Sequence, residues 1–71
     1  MYIHEAVKQA LEDKKYITRS NAWWGRHIKI KPTNTPDCCM CFSIDEKEKS
    51  PTRGWQPQAE DLMANDWTVV D

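Results

Sequence analysis

The stretch Trp55-Gln56-Pro57-Gln58-Ala59-Glu60-Asp61-Leu62-Met63-Ala64-Asn65-Asp66-Trp67 decides the fold, because its two tryptophans bracket a short helix and a turn. Pro57 suits the first turn of a helix, where its missing N–H would have no partner. Residues 58–64 contain no helix breaker, and Asn65-Asp66 is typical of a turn. Residues 67–70 are predicted to form a strand. Because tryptophan offers more apolar contact area than any other side chain, this unit is expected to form much of the core.

The N-terminal segment has the apolar spacing of an amphipathic helix. Apolar residues recur at i, i+3, i+4, i+7 and i+8, and polar residues fill the positions between them. The pattern predicts a helix over residues 3–13. Its apolar stripe consists of Ile3, Ala6, Val7, Ala10 and Leu11.

Three short strands are predicted between this helix and the C-terminal stretch. They are residues 15–19, 27–31 and 38–44. Pro32 ends the second strand, because proline cannot donate a hydrogen bond to a sheet. Residues 20–25 are predicted to form a loop or a distorted turn, and the charged run 45–54 an exposed connection. This order of elements predicts an α+β fold: a small, mostly antiparallel sheet of three to four strands, an N-terminal amphipathic helix and a short C-terminal helix.

Length and charge restrict the class of protein. A chain of 71 residues is expected to form one domain, spanning residues 1–71, with a thin stability margin that self-association would reinforce. The net charge of −1 argues against duplex nucleic acid or an anionic membrane as the main partner. A small phosphorylated ligand stays compatible, since it needs only one local basic spot. The sequence shows no secretory leader after Met1 and no apolar run near the roughly 20 residues of a membrane span.

The three cysteines, Cys38, Cys39 and Cys41, are crowded into one predicted strand. Adjacent cysteines of a strand point to opposite faces, so a disulfide framework is not expected, and the pattern favours a reduced, cytosolic protein. A zinc site with His4 or His27 is disfavoured as well, because structural zinc sites draw cysteine pairs from two segments. The thiols are expected to fill space as small apolar groups, and no metal or other cofactor is expected.

The segment Trp23-Trp24-Gly25-Arg26 is the most unusual candidate for a binding surface. An exposed indole beside Arg19 or Arg26 suits a nucleobase that carries a phosphate. The base stacks on the ring, and the guanidinium donates to two phosphate oxygens. In a strand-like loop the two indoles point in opposite directions, so that one is buried and the other exposed. The alternative, that both tryptophans are core or oligomer contacts, is favoured by composition alone.

Three aspartates, Asp37, Asp61 and Asp66, lie in or beside predicted loops, where a carboxylate could accept a ribose hydroxyl. Such residues more often make turn or helix-capping hydrogen bonds. An enzyme is the less expected class. His4 and His27 form no recognisable arrangement with a nucleophile, and the sequence has no glycine-rich phosphate loop.

Several of these motifs, taken in order, resemble a known family. The first helix carries Glu5-Ala6-Val7, and Thr18-Arg19, a tryptophan and Lys29-Ile30-Lys31-Pro32-Thr33 follow it. The most specific part is Trp55-x-Pro57-(x₃)-Asp61-Leu62-x-Ala64-x-Asp66-Trp67. Over nearly the whole chain, these residues resemble a family of short phage and bacterial proteins first described as a domain of unknown function. Its members include the second type of Thoeris anti-defence protein.

The resemblance implies a phage-encoded sponge that acts in the cytoplasm of the infected bacterial host. In Thoeris immunity a TIR-domain enzyme makes a cyclic ADP-ribose isomer that activates an effector, and such a sponge binds the signal without cleaving it. Cyclic dinucleotides are the second implied class of ligand. The resemblance also implies a homodimer or homotetramer with ligand pockets between subunits. The alternative is a small structural or protein-interaction module of a phage with no nucleotide ligand.

The family's Arg-x-x-Trp element falls on Arg19 and either Trp23 or Trp24, with a longer spacing here than in the common form. The expected ligand-binding residues have three roles: a stacking platform, phosphate contacts, and a ribose or base contact. In that order they are Trp23 or Trp24, Arg19 and Arg26, and Asp61 or Asp66. Trp55 and Trp67 are expected to be mainly structural.

Overall fold

In the computed structural model, which describes residues 1–36, 38–44 and 54–71, the predicted α+β fold and the order of its elements are confirmed. Helix α1 begins and ends at the predicted residues. The elements are α1 (Ile3–Asp13), β1 (Tyr16–Arg19), a 3₁₀ turn (Trp23–Arg26), β2 (Ile28–Lys31), β3 (Met40–Ser43), α2 (Ala59–Met63) and β4 (Trp67–Val70).

The described strands form one antiparallel sheet in the order β3-β2-β1-β4. Ile17 is in register with Ile30 on one side and with Val69 on the other. Residues in register share a face of the sheet, and this face packs against α1. Ala6 and Ala10 are 0% and 1% exposed, and their small side chains let the helix lie close to the strands.

Trp67 lies at the centre of the core, as expected for a structural residue. Its side chain is 1% exposed, and its Nε1–H donates to the carbonyl oxygen of Asp61 at 2.8 Å. The rings of Trp24 and Trp55 each lie with their centroids 5.8 Å from that of Trp67. One buried indole therefore holds two others, which come from the 3₁₀ turn and from the segment before α2.

Helix α1 ends where Lys14 adopts a left-handed conformation (φ 56°) and the N–H of Lys15 donates to Ala10 O at 2.9 Å. Such an end satisfies carbonyls that the helix itself leaves unpaired. One part of the predicted stripe is wrong: Leu11 is 42% exposed. It lies in the last turn of the helix, where the core that covers Ala6 and Ala10 no longer reaches it.

The predicted strand bounds differ from the structure at several ends: β1 and β2 each begin one residue later than predicted, and β3 ends one residue earlier. Residues 20–25, predicted as a loop or a distorted turn, include most of the 3₁₀ turn. Strand β3 begins at Met40 rather than at residue 38, because Cys38 has a φ of 61°, which no strand residue adopts. The predicted connection 45–54 lies outside the described residues except for Gly54.

The cysteines of this region are all free thiols. Cys39 and Cys41 pack against the core as small apolar groups, whereas Cys38 is exposed. The expected space-filling role is thus confirmed for two of the three. No helix among the described residues is both long enough and apolar enough to cross a membrane.

Candidate functional site

Arg19, the last residue of β1, lies at the centre of a buried ion cluster. Its Nε–H donates to Asp66 Oδ1 and its Nη1–H to Asp61 Oδ1, both at 2.9 Å. The three side chains are only 9–13% exposed. Glu60, which is mostly exposed, lies farther out with its Oε1 3.6 Å from Nη1. Two carboxylates therefore satisfy one guanidinium within the fold.

The second oxygens of the two carboxylates accept backbone hydrogen bonds. Asp66 Oδ2 accepts from the N–H of Asn21 at 2.8 Å, and Asp61 Oδ2 accepts from the N–H of Gln58 at 3.0 Å. Each aspartate thus joins Arg19 to the backbone of a different segment. Asp61 lies in the first turn of α2 and Asp66 in the turn before β4, which are positions where carboxylates commonly cap or brace.

The charges of the cluster stabilise one another. Burial alone would raise the pKa of the Asp66 carboxyl, but hydrogen bonds from Arg19 and from the Asn21 N–H outweigh it and hold that pKa below its usual range. The hydrogen bond to Asp66 also raises the pKa of the Arg19 guanidinium, although burial opposes the charged form. Both shifts favour the ionised forms of Arg19 and Asp66.

The 3₁₀ turn follows this cluster and packs tightly against β1. A Cβ on Gly25 would overlap the carbonyl oxygen of Arg19, so only glycine fits the observed backbone here. The Thr18 hydroxyl lies 3.1 Å from the carbonyl oxygens of Gly25 and Ile28 and donates to them. Gly25 therefore allows the 3₁₀ turn to approach β1 closely, and the Thr18 hydroxyl stabilises this contact.

This turn separates the two adjacent tryptophans. Trp24 packs on Trp67, whereas Trp23 is 83% exposed. Trp24 is half-buried, so the expected contrast between an inward and an exposed indole is found, although a 3₁₀ turn and not a strand-like loop separates them. Trp23 is not a core residue of the chain, and the other part of the alternative, that the tryptophans are oligomer contacts, stays a prediction.

A cleft of about 420 Å³ opens beside Trp23. Its apolar lining comes mainly from three indoles, and its polar lining from the ion cluster and three side-chain amides. The lining residues are Arg19, Asn21, Ala22, Trp23, Trp24, Ile28, Cys41, Trp55, Gln56, Gln58, Glu60 and Asp61. One wall is the segment from Asn21 to Trp24, which we call the loop wall. The other is the segment from Trp55 to Asp61, which we call the helix wall.

The structure brings most of the predicted site residues to this cleft. Trp23, Trp24, Arg19 and Asp61 line it, and Asp66 lies directly behind Arg19. For Arg26 only the backbone is described, at the end of the 3₁₀ turn. The candidate Asp37 also lies outside the described residues.

Sequence reasoning missed several lining residues, namely Asn21, Trp55, Gln56, Gln58 and Glu60. Trp55 packs on Trp67, as expected of a structural residue, but it also lines the cleft. The signal that could have found them is the run of polar residues around Pro57, directly next to a tryptophan in a specific motif. Among the residues that the structure describes, no three His, Cys, Asp or Glu side chains are grouped so as to hold a metal ion.

Comparison with known proteins agrees with the resemblance seen in the motifs. No curated protein and no solved structure matches the chain significantly. The family model of the Thoeris anti-defense 2-like domain matches residues 1–70, which is nearly the whole chain and includes every element that builds the cleft. The protein therefore belongs to the Thoeris anti-defense 2-like family.

Proposed function

We propose that this protein binds a cyclic nucleotide immune signal and sequesters it without cleaving it. Family membership implies a phage protein that counters Thoeris defence inside the host cell. The proposed ligand is a cyclic ADP-ribose isomer, with cyclic dinucleotides as a second class. Sequestration keeps the signal from its effector, so the protein needs affinity and no catalytic group.

The observation that carries the proposal is the exposed indole of Trp23 at the mouth of the 420 Å³ cleft. Small-molecule sites typically enclose about 300–1,000 Å³ and combine apolar walls with a few polar groups. A nucleobase that stacks on an aromatic side chain gains about 1–3 kcal/mol. Both the size and the lining of the cleft therefore suit a nucleotide-sized ligand.

The polar groups of the cleft offer hydrogen bonds to such a ligand. Asn21, Gln56 and Gln58 can each present both a donor and an acceptor. For the phosphates, the family resemblance implies Arg19, a cation among the described side chains that line the cleft. Arg26 is the second proposed phosphate contact, and the free lone pairs of Asp61 or Asp66 are the proposed ribose contact.

A complete site is proposed to need more than one chain. Among the described side chains that line the cleft, Arg19 is the only cation, and Glu60 and Asp61 are anions. A ligand with two phosphates needs further positive charge, which a second subunit can supply. Leu62 and Met63 support self-association as a homodimer or homotetramer, because they are 53% and 73% exposed on α2.

The test is calorimetric titration of the purified protein with a panel of cyclic ADP-ribose isomers and cyclic dinucleotides. The ligand is then released and checked for intactness. We expect a Kd near 1 nM, about −12 kcal/mol, for one member, recovered unaltered. Recovery of a cleaved ligand would make the protein an enzyme. No binding across the panel would reject the sponge and favour the interaction-module alternative, for which α2 offers the apolar surface.

The Trp23→Ala variant tests the stacking platform. Loss of about 1–3 kcal/mol of stacking should weaken binding by roughly 5- to 150-fold. Thermal unfolding should hardly change, because the side chain is 83% exposed. Leu11→Ala is the matched control, since it removes an exposed apolar side chain of α1 that does not line the cleft. Unchanged affinity in Trp23→Ala would remove the stacking role.

A further inference from the structure

We infer that Arg19 is a positioning residue that ties the two walls of the cleft together, and that it does not contact the ligand's phosphate. The inference rests on the proposed function for its consequence in binding, but its geometry concerns the chain itself. Arg19, Asp61 and Asp66 then act as one structural unit and not as contacts of the ligand.

The unit is a continuous chain of hydrogen bonds that joins the loop wall to the helix wall, which we call the strap. It runs from the N–H of Asn21 to Asp66 (2.8 Å), from Asp66 to Arg19 (2.9 Å), from Arg19 to Asp61 (2.9 Å), and from Asp61 to the N–H of Gln58 (3.0 Å). Its two outer residues both line the cleft, one on each wall. The strap therefore fixes the distance between the loop wall and the helix wall.

Each end of the strap is anchored further. On the loop side, the carbonyl oxygen of Asp66 accepts from both the N–H and the hydroxyl of Ser20 at 3.1 Å. On the helix side, the carbonyl oxygen of Asp61 accepts the indole N–H of the buried Trp67 at 2.8 Å. A movement of either wall has to break charge-assisted bonds, which are the stronger class of hydrogen bond.

The charge balance argues against a direct phosphate contact. The two aspartates carry two negative charges against the single charge of Arg19, and Glu60 lies 3.6 Å from the same guanidinium. A phosphate at Arg19 would face the repulsion of these three carboxylates. A guanidinium that is bound by these carboxylates holds the two walls at a fixed distance.

The Asp66→Asn variant separates the two roles, because they predict opposite signs. A direct phosphate contact would bind more tightly once a competing carboxylate is neutralised. The strap predicts weaker binding, since a neutral amide cannot make the same charge-assisted bonds to Arg19 and Asn21. With the tightest-binding cyclic ADP-ribose isomer as the probe, we expect a loss of about tenfold or more. Unchanged or tighter binding would overturn the inference.

The salt dependence of ligand affinity provides a second test, because loss of a direct phosphate contact would change that dependence. Exposed charge contacts are screened at high salt, whereas buried ones are screened much less. The ratio of wild-type to Asp66→Asn affinity should therefore be the same at low and high salt. The control is Asp71→Asn, whose carboxylate is 93% exposed, pairs with Lys15 and does not line the cleft. This variant should bind like the wild type.

Amide hydrogen exchange tests the strap without any ligand. Asp66→Asn should speed exchange at the N–H of Gln58 on the far wall as well as at Asn21, because one linkage holds both. Asp61→Asn should likewise speed exchange at the N–H of Asn21 on the far wall as well as at Gln58. If each variant affects only the nearer amide, the walls are independent and the inference is wrong. If the wild type binds no member of the panel but both amides respond, the strap stands and the proposed function fails.

Discussion

Strands β1 and β4 pair along their whole length, and an ion pair closes each end. At one end, Lys15 Nζ lies 3.2 Å from Asp71 Oδ1, with the two side chains 43% and 93% exposed. At the other, Arg19 Nε lies 2.9 Å from Asp66 Oδ1, with the side chains 9% and 13% exposed. The two separations differ by only a few tenths of an ångström, but the carboxylate of the buried pair also accepts from the N–H of Asn21 and its arginine also pairs with Asp61.

The difference shows that burial and hydrogen bonding decide what an ion pair does. An exposed pair gains little, because water and salt screen it and its long side chains lose entropy. A buried cluster is costly to assemble, but removal of one partner leaves an uncompensated buried charge. The exposed end can therefore vary, whereas the buried end has to keep all its partners.

Arg19→Met should give the largest effect on stability. It leaves Asp61 and Asp66 buried without a cation, and breaking a buried pair typically costs about 3–5 kcal/mol. Urea unfolding of the variant and the wild type would measure the free energy of unfolding. A loss below about 1 kcal/mol would show that the two ends of β1 and β4 are equivalent after all. Lys15→Met provides the matched comparison at the exposed end.

Gly25→Ala should come next, with a loss of about 1–3 kcal/mol, the usual range for an overpacked site. The added methyl group meets the backbone carbonyl of Arg19, which cannot move without disturbing the buried end. Thermal unfolding is the measurement. Gly54→Ala is the control for glycine replacement as such, since nothing lies within 4 Å of its Cβ, although its φ of +72° adds some strain of its own. Equal effects of the two variants would contradict the close-packing argument.

The dependence of stability on pH should also separate the two ends. Because the pKa of Asp66 is lowered in the folded protein, the unfolded chain binds its proton first as the pH falls. The stabilisation is full above the unfolded pKa of about 3.9 and is lost as the pH falls from there through the folded pKa. Urea unfolding over a pH series should show this loss in the wild type and a flatter acid limb in Asp66→Asn. Identical acid limbs would refute the assignment.

Asp71→Asn should have the smallest effect, within about 0–1 kcal/mol, because its partner and its own carboxylate are solvated. Chemical unfolding at low salt would give the upper limit of the effect. A loss comparable with that of Arg19→Met would mean that exposure does not distinguish the two ends.

Local patterns sufficed to predict most of the fold. The apolar stripe of α1 predicted the bounds of that helix. The stretch around Trp67 predicted the closing helix, turn and strand. Local patterns gave less where the backbone changes direction: the left-handed Cys38 shortens β3, and the loop or distorted turn predicted for residues 20–25 did not indicate 3₁₀ geometry. Both features depend on contacts that the neighbouring residues do not specify.

Only some residues of the candidate cleft were predictable from the sequence, and their arrangement was not. Motifs identified Arg19, Trp23 and the two aspartates. The partners of Arg19, however, lie 42 and 47 residues further along the chain. No local pattern shows that distant carboxylates will take the donors of a guanidinium. Likewise, adjacent tryptophans are equivalent in sequence, and only the packing of Gly25 against β1 sends one inward and the other outward.

Trp67 and the two indoles packed on it also give the protein a distinctive optical signature. Rings whose centroids lie 5.8 Å apart couple their electronic transitions, so Trp24, Trp55 and Trp67 should produce an intense exciton band in circular dichroism. Trp23 stands outside this group and emits from a solvated ring. One chain thus carries two spectroscopic reporters: the coupled band follows the integrity of the core, and the red-shifted emission follows the mouth of the cleft.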